Sequence, residues 1–106
     1  MSTLCFNNAV EELQMGIPSL GFRLLKELAD EGHELSQLYV GCAHLLGHIS
    51  ISETKKFGVS KDLQSAINYL LKSAKQGNKD ALHNLKELRK NTPLDDYKTS
   101  ATAAST

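Results

Sequence analysis

The segment Gly58–Gly77, GVSKDLQSAINYLLKSAKQG, limits the fold more than any other part of the chain. Its apolar residues Leu63, Ala66, Ile67, Leu70, Leu71 and Ala74 recur at i, i+3, i+4, i+7, i+8 and i+11. That period marks one stripe of an α-helix, with Asp62, Gln64, Asn68, Lys72 and Lys75 on the opposite side. Ser60 or Asp62 can accept from the first free N–H groups, and Gly77 can take the left-handed turn that ends the helix. Ala66 and Ala74 are small enough to let a second helix come close. A helix with a single apolar stripe is stable only when a neighbour covers it.

The chain supplies that neighbour by repeating the pattern. A shift of 45 residues lays Leu24-Leu25 on Tyr69-Leu70, Ala29 on Ala74, Gly32 on Gly77, Ser36 on Ala81 and Val40 on Leu85. The earlier copy carries Ile17, Leu20, Leu24, Leu25, Leu28 and Ala29 at the same helical spacing. Repeats of this length built from helix pairs stack into an α/α solenoid.

These positions resemble the Sel-one-like repeats, relatives of the tetratricopeptide repeats. Ser36, Val40, Gly41, His44 and Gly47 stand at the spacing of that family's first helix. Gly58-Val59, Asp62, Ala66, Tyr69, Leu70, Ser73, Ala74 and Gly77 stand at the spacing of its second. The resemblance covers one full repeat, residues 36–77, with half-repeats on either side. Two departures are visible: His44 replaces the usual aromatic, and the turn between the two helices is several residues longer. The resemblance implies an all-α fold, a short α/α solenoid of about two and a half helix-pair repeats over residues 1–92. Residues 93–106, ending in TSATAAST, lack periodicity and are expected to form a disordered tail.

Five helices are expected, at about 4–15, 18–31, 34–46, 62–76 and 79–90, with no β-sheet. The first should bury Phe6, Ala9, Val10 and Leu13. The third shows Leu35, Leu38, Tyr39, Cys42, Leu45 and Leu46 at helical spacing, and the fifth should turn Ala81, Leu82, Leu85 and Leu88 inward. Asn78 can cap the fifth helix. Between Gly47 and Gly58, HISISETKKF reads as a surface loop whose Ile49, Ile51 and Phe57 cover helix ends, or else as a recognition loop.

The chain has twelve basic and twelve acidic side chains, which argues against a general nucleic-acid binder. The balance hides a split. Residues 1–53 hold seven acidic and two basic side chains, a net of −5; residues 54–106 hold five and ten, a net of +5. In a solenoid this makes one acidic and one basic end, which is either an uneven solvated surface or a device for steering a partner or for self-association. No segment is apolar for long enough to span a membrane, and the N-terminal residues lack the pattern of a secretory signal. Cys5 and Cys42 have no C-x-x-C spacing and are expected to be buried free thiols in a reducing cytoplasm.

Catalytic patterns are absent from the sequence. It has no Gly-rich phosphate loop, no nucleophile elbow and no Cys–His pairing, and Glu11-Glu12 and Asp95-Asp96 are adjacent pairs that cannot oppose each other across a cleft. His44 and His48, at i and i+4, have the spacing of two metal ligands, but no third ligand accompanies them, and they read as polar residues on a helix. No metal, no cofactor and no enzymatic activity is therefore expected. Gln37, Gly41, His44 and His48 form a stripe away from most of the leucines, so Gln37, Tyr39, His44 and His48 are the candidate partner contacts. Lys55 and Lys56 in the loop are added as steering charges. The expected function is binding another protein. It could act as a small inhibitor, as in the bacterial toxin–immunity pairs where some proteins with this repeat serve. It could instead be an adaptor that docks a peptide or a protein.

Overall fold

The computed structural model describes residues 5–91. Its order is α1 (Phe6–Met15), α2 (Pro18–Asp30), α3 (Glu34–Leu46), β1 (His48–Ser50), β2 (Lys56–Gly58), α4 (Leu63–Lys75) and α5 (Lys79–Asn91). The all-α body is as expected; the tail expected over 93–106 lies outside the described residues. Each helix packs on the next in sequence.

One correction concerns the segment between α3 and α4. It is not a loop but a two-stranded antiparallel ribbon, pairing His48 with Gly58, Ile49 with Phe57 and Ser50 with Lys56. The physical cause is the alternation His-Ile-Ser-Ile, whose period of two suits a strand with one covered face. The turn closes when the Ile51 and Ser52 N–H groups both reach the Lys55 carbonyl, at 2.8 and 3.2 Å. Ile49 and Ile51 then pack on the N-terminal core, and the Phe57 ring lies 6.4 Å from that of Phe22. The apolar residues of the segment do cover helices.

The core has two parts. Ala9, Leu13, Leu25, Leu28, Ala29 and Val40 form the first, and Leu38, Leu70, Ala81 and Leu88 the second. Leu25 and Leu70, 45 residues apart, are both fully buried. Among the described residues α3 places buried side chains in both clusters, Val40 in the first and Leu38 in the second, and Tyr69 of α4 packs on the first as well.

Two glycines set how closely the helices approach. A Cβ on Gly21 would lie 2.5 Å from the Leu13 nitrogen, so α1 and α2 touch backbone to backbone there. A Cβ on Gly41 would lie 2.9 Å from Leu70 Cγ and 3.2 Å from the Ala66 carbonyl. Here Ala66 provides the small surface on α4.

The helix ends repeat as well. Gly32 and Gly77 both adopt the left-handed conformation, φ 106° and 99°. The Gly32 N–H donates to the Ala29 carbonyl and that of His33 to Leu28; the Gly77 N–H donates to Ala74 and that of Asn78 to Ser73. The next helix is then capped in both cases. His33 Nδ1 accepts from the Ser36 N–H at 3.1 Å, and Asn78 Oδ1 from the Ala81 N–H at 2.8 Å. Asp62, not Ser60, caps α4, accepting from the Ser65 N–H at 3.2 Å. Hydrogen bonds from Ser65 hold the exposed Asp62 carboxyl below its usual range.

Candidate functional site

The unusual element is α3, which is apolar on the side it leaves open. Its buried residues are Ser36, Gln37, Leu38, Val40, Gly41, Ala43 and His44, while Leu35, Tyr39 and Leu46 are 36%, 39% and 59% exposed. The buried polar groups are matched locally. The Gln37 side-chain amide donates to the Ala29 carbonyl at 3.0 Å, and its oxygen accepts from Gln76 at 2.9 Å. Behind it, the Ser73 hydroxyl donates to the Glu34 carbonyl at 2.9 Å. Hydrogen bonds on both sides of the buried amide offset its desolvation and tie α2, α3 and the C-terminal end of α4 together.

The expected contact stripe is therefore corrected. Gln37 and His44, 3% and 6% exposed, are interior residues and cannot meet a partner. His44 ties the ribbon to the helices: its Nδ1 donates to the Ser60 carbonyl at 2.9 Å, and its own carbonyl accepts from the Asp62 N–H. That assigns the proton to Nδ1 and leaves Nε2 an acceptor, buried and without a partner among the described residues. The His44 ring lies near those of Phe22 and Tyr69, at 5.9 and 6.3 Å, so it fills the aromatic position structurally. His48 leaves the helix and starts β1, and no group of three metal-binding side chains forms among the described residues.

Tyr39 and His48 do come together. With Val10 and Gln14 of α1, Leu46 of α3 and Ile49 of β1, they line a groove of about 380 Å³ between α1, α3 and the ribbon. Tyr39 is steadied by Phe6, 5.3 Å between ring centres. Cys42 lines the groove as well, half-buried, and its sulfur accepts from the Asn84 amide of α5 at 3.2 Å. Burial, with the Asp80 carboxylate nearby, pushes the Cys42 thiol up, away from the thiolate that a nucleophile or metal ligand needs. Cys5, expected to be buried, is exposed. Lys55 and Lys56 are exposed, Lys56 on the second strand, one strand removed from the groove.

Leu46, Val10 and Gln14 were not expected at a site. The signal for Leu46 lay in α3 itself: seven of its thirteen residues are buried, yet leucines and a tyrosine remain on the far side. Leu82, expected inward, is 47% exposed, while Ala81 and Leu88 are the α5 residues that enter the second core cluster. No helix of the described residues is long and apolar enough to cross a membrane. No family model, no curated protein and no solved structure matches the chain.

Proposed function

We propose that this chain is a protein-binding module without enzymatic activity, a short Sel-one-like α/α solenoid that holds a partner protein in the groove between α1, α3 and β1. In this reading it is a small inhibitor that occludes its partner, in the manner of immunity proteins. The observation that carries the reading is the open apolar face of α3. Exposed apolar residues scattered singly are ordinary, but Leu35, Tyr39 and Leu46 lie on one face of one helix beside a formed cavity. The solenoid part is supported by the recurrence of cap, turn and core residues at 45 positions' distance, from Leu25 and Leu70 to Gly32 and Gly77. The free thiols of Cys5 and Cys42 suit the cytoplasm as the place of action.

The test is co-purification from the native cell with the wild-type chain and with Leu46→Asp as baits. The expected result is a protein retained by the first and lost by the second. Identical sets of retained proteins would remove the groove from the reading. Adding the purified partner's activity assay then separates an inhibitor from an adaptor, since only an inhibitor lowers it.

A further inference from the structure

We infer that the outer face of α5 receives an acidic helix of a partner protein, seated there as α4 is seated on α2 and α3. This surface is separate from the groove, and the inference does not depend on the groove being occupied. Three observations lead there, each read through the shift of 45 residues.

The first is the stripe that a following helix covers. On α3, Gln37, Gly41 and His44 face α4 and the turn after it. Gln37 accepts from Gln76, a Cβ on Gly41 would meet Leu70 and the Ala66 carbonyl, and the His44 ring stacks on that of Tyr69. Moved on by 45 residues, these positions are Leu82, Lys86 and Arg89 of α5. All three are exposed, Leu82 to 47%. The covered stripe thus has an open counterpart, with a leucine where the covered one has a glutamine. A helix that merely closed the row would present polar side chains throughout that stripe.

The second is charge, compared position by position. Asp30 and Glu34 accept hydrogen bonds from the Tyr69 hydroxyl at 2.8 Å and from the Asn78 amide at 2.9 Å. Their counterparts are Lys75 and Lys79, both exposed. Acceptors have become donors, so an occupant of the equivalent place must bring the acceptors itself. Carboxylates are the acceptors that bind ammonium groups most strongly. Lys86 and Arg89 continue the same sign along the stripe.

The third is that the acidic residues of α5 stand off this stripe. Asp80 and Glu87 are the counterparts of Leu35 and Cys42, which α4 does not cover. Asp80 lies close to Cys42, and Glu87 pairs with Lys90 at 3.7 Å. No ion pair among the described residues engages Lys75, Lys79, Lys86 or Arg89. A face of one sign with a leucine in it matches an acidic amphipathic helix, whereas a phosphate backbone would gain nothing from Leu82.

The experiment uses the full chain and fluorescently labelled helical peptides of about four turns. Their small and apolar residues stand at i, i+3, i+4 and i+7, the spacing of Ala66, Tyr69, Leu70 and Ser73 in α4. One series carries Glu and Asp on the flanks, and a matched series carries Lys. By anisotropy, the acidic series is expected to bind about tenfold more tightly than the basic one, by a margin that shrinks as salt rises. Affinity should fall about tenfold with Lys75→Glu and Lys79→Glu together, and severalfold with Leu82→Ser, while Leu46→Asp leaves it unchanged. These four positions are exposed, and unchanged melting of the variants shows that the losses are not unfolding. Equal affinity of both series, failure of every acidic peptide to bind, or binding indifferent to Leu82→Ser overturns the inference. So does binding lost with Leu46→Asp, which would put the peptide in the groove. Duplex DNA that binds as tightly as the acidic peptides and ignores Leu82→Ser also overturns it, by making the face a site for polyanions. Self-association of the chain that the two lysine reversals abolish gives the face to a second copy and overturns it as well. The groove reading is judged separately, by co-purification with Leu46→Asp.

Discussion

Helices α3 and α4 are each thirteen residues long and pack against each other, yet they distribute polarity in opposite ways. In α4 the buried face is Ala66, Leu70 and Ser73, and the outer face shows Gln64, Asn68, Lys72 and Lys75 to solvent, with Leu71, 42% exposed, as its one apolar residue. In α3 the interior receives Gln37 and His44, and solvent receives Leu35, Tyr39 and Leu46. Solvent-facing polarity is the ordinary arrangement for a surface helix. In α3 polar side chains share the interior with Leu38, Val40 and Ala43. Its inner face organises polar ties between neighbours, and Leu35, Tyr39 and Leu46 remain on its outer face.

The largest expected effect breaks the α4 side of the comparison. Leu70 is fully buried in the second core cluster and touches the Gly41 crossing, so Leu70→Ala should cost about 2–5 kcal/mol in thermal or urea unfolding. A melting point within a degree or two of the parent would show that the inner face of α4 is assigned wrongly. The inner face of α3 comes next. Gln37→Leu removes one of two hydrogen bonds at the Ala29 carbonyl and one of two at the Gln76 amide, which keep the Gly32 N–H and the Gly32 carbonyl, and should cost about 0.5–1.5 kcal/mol although it adds apolar surface. A gain in stability from that change would mean that the buried amide is a burden, not a tie.

A smaller effect is visible only at high pH. Burial, together with the Tyr69 hydroxyl's hydrogen bond to Asp30 at 2.8 Å, raises the Tyr69 phenol from 10.0 to about 12. The folded state thus favours the protonated phenol. Its contribution is complete below pH 10 and is lost as pH rises from there towards 12. Urea titrations across that range should show stability declining in the parent and a flatter profile in Tyr69→Phe. The smallest stability effect belongs to the outer faces. Leu46→Ser and Lys72→Ala should each change stability by no more than about 0.5 kcal/mol, while only the first weakens binding of the partner held in the groove. Equal loss of binding in both would erase the functional contrast between the two helices.

Most of the fold could be read from spacing. The helix boundaries follow from Pro18, Gly32, Asp62, Gly77 and Asn78, each a residue whose backbone or side chain has a specific task at a helix end. Face assignment held in α4 except at Leu71, which is 42% exposed, and failed for part of α3, where Leu38 is buried but Leu35, Tyr39 and Leu46 are exposed. There the leucines suggested an interior that Gln37 and His44 in fact occupy, because hydrogen bonds to Ala29, Gln76 and Ser60 make the polar side the better-satisfied one. Those partners are 8 to 39 residues away, and no local pattern marks them. The ribbon was legible in the alternation of residues 48–51, but serines, threonine and lysines concealed it as a loop. Of the site, Tyr39 and His48 were found; Val10 and Ile49 reach the groove only through the packing of α1 and the ribbon.

The hydrogen bonds between the two halves have a consequence for how the molecule opens. Tyr69 to Asp30, Ser73 to Glu34, Gln76 to Gly32 and to Gln37, and Asn78 to Glu34 all join residues 39 or 44 positions apart. A stack held only by nearest-neighbour apolar contact can fray one helix pair at a time. Here α4 and the turn that follows it cannot lift away together without releasing all five cross-links, so the slowest-exchanging amides of α4 and those of α2 and α3 should report one shared opening event. A ligand seated against α3 would then slow amide exchange in α4, a helix that forms no wall of the groove.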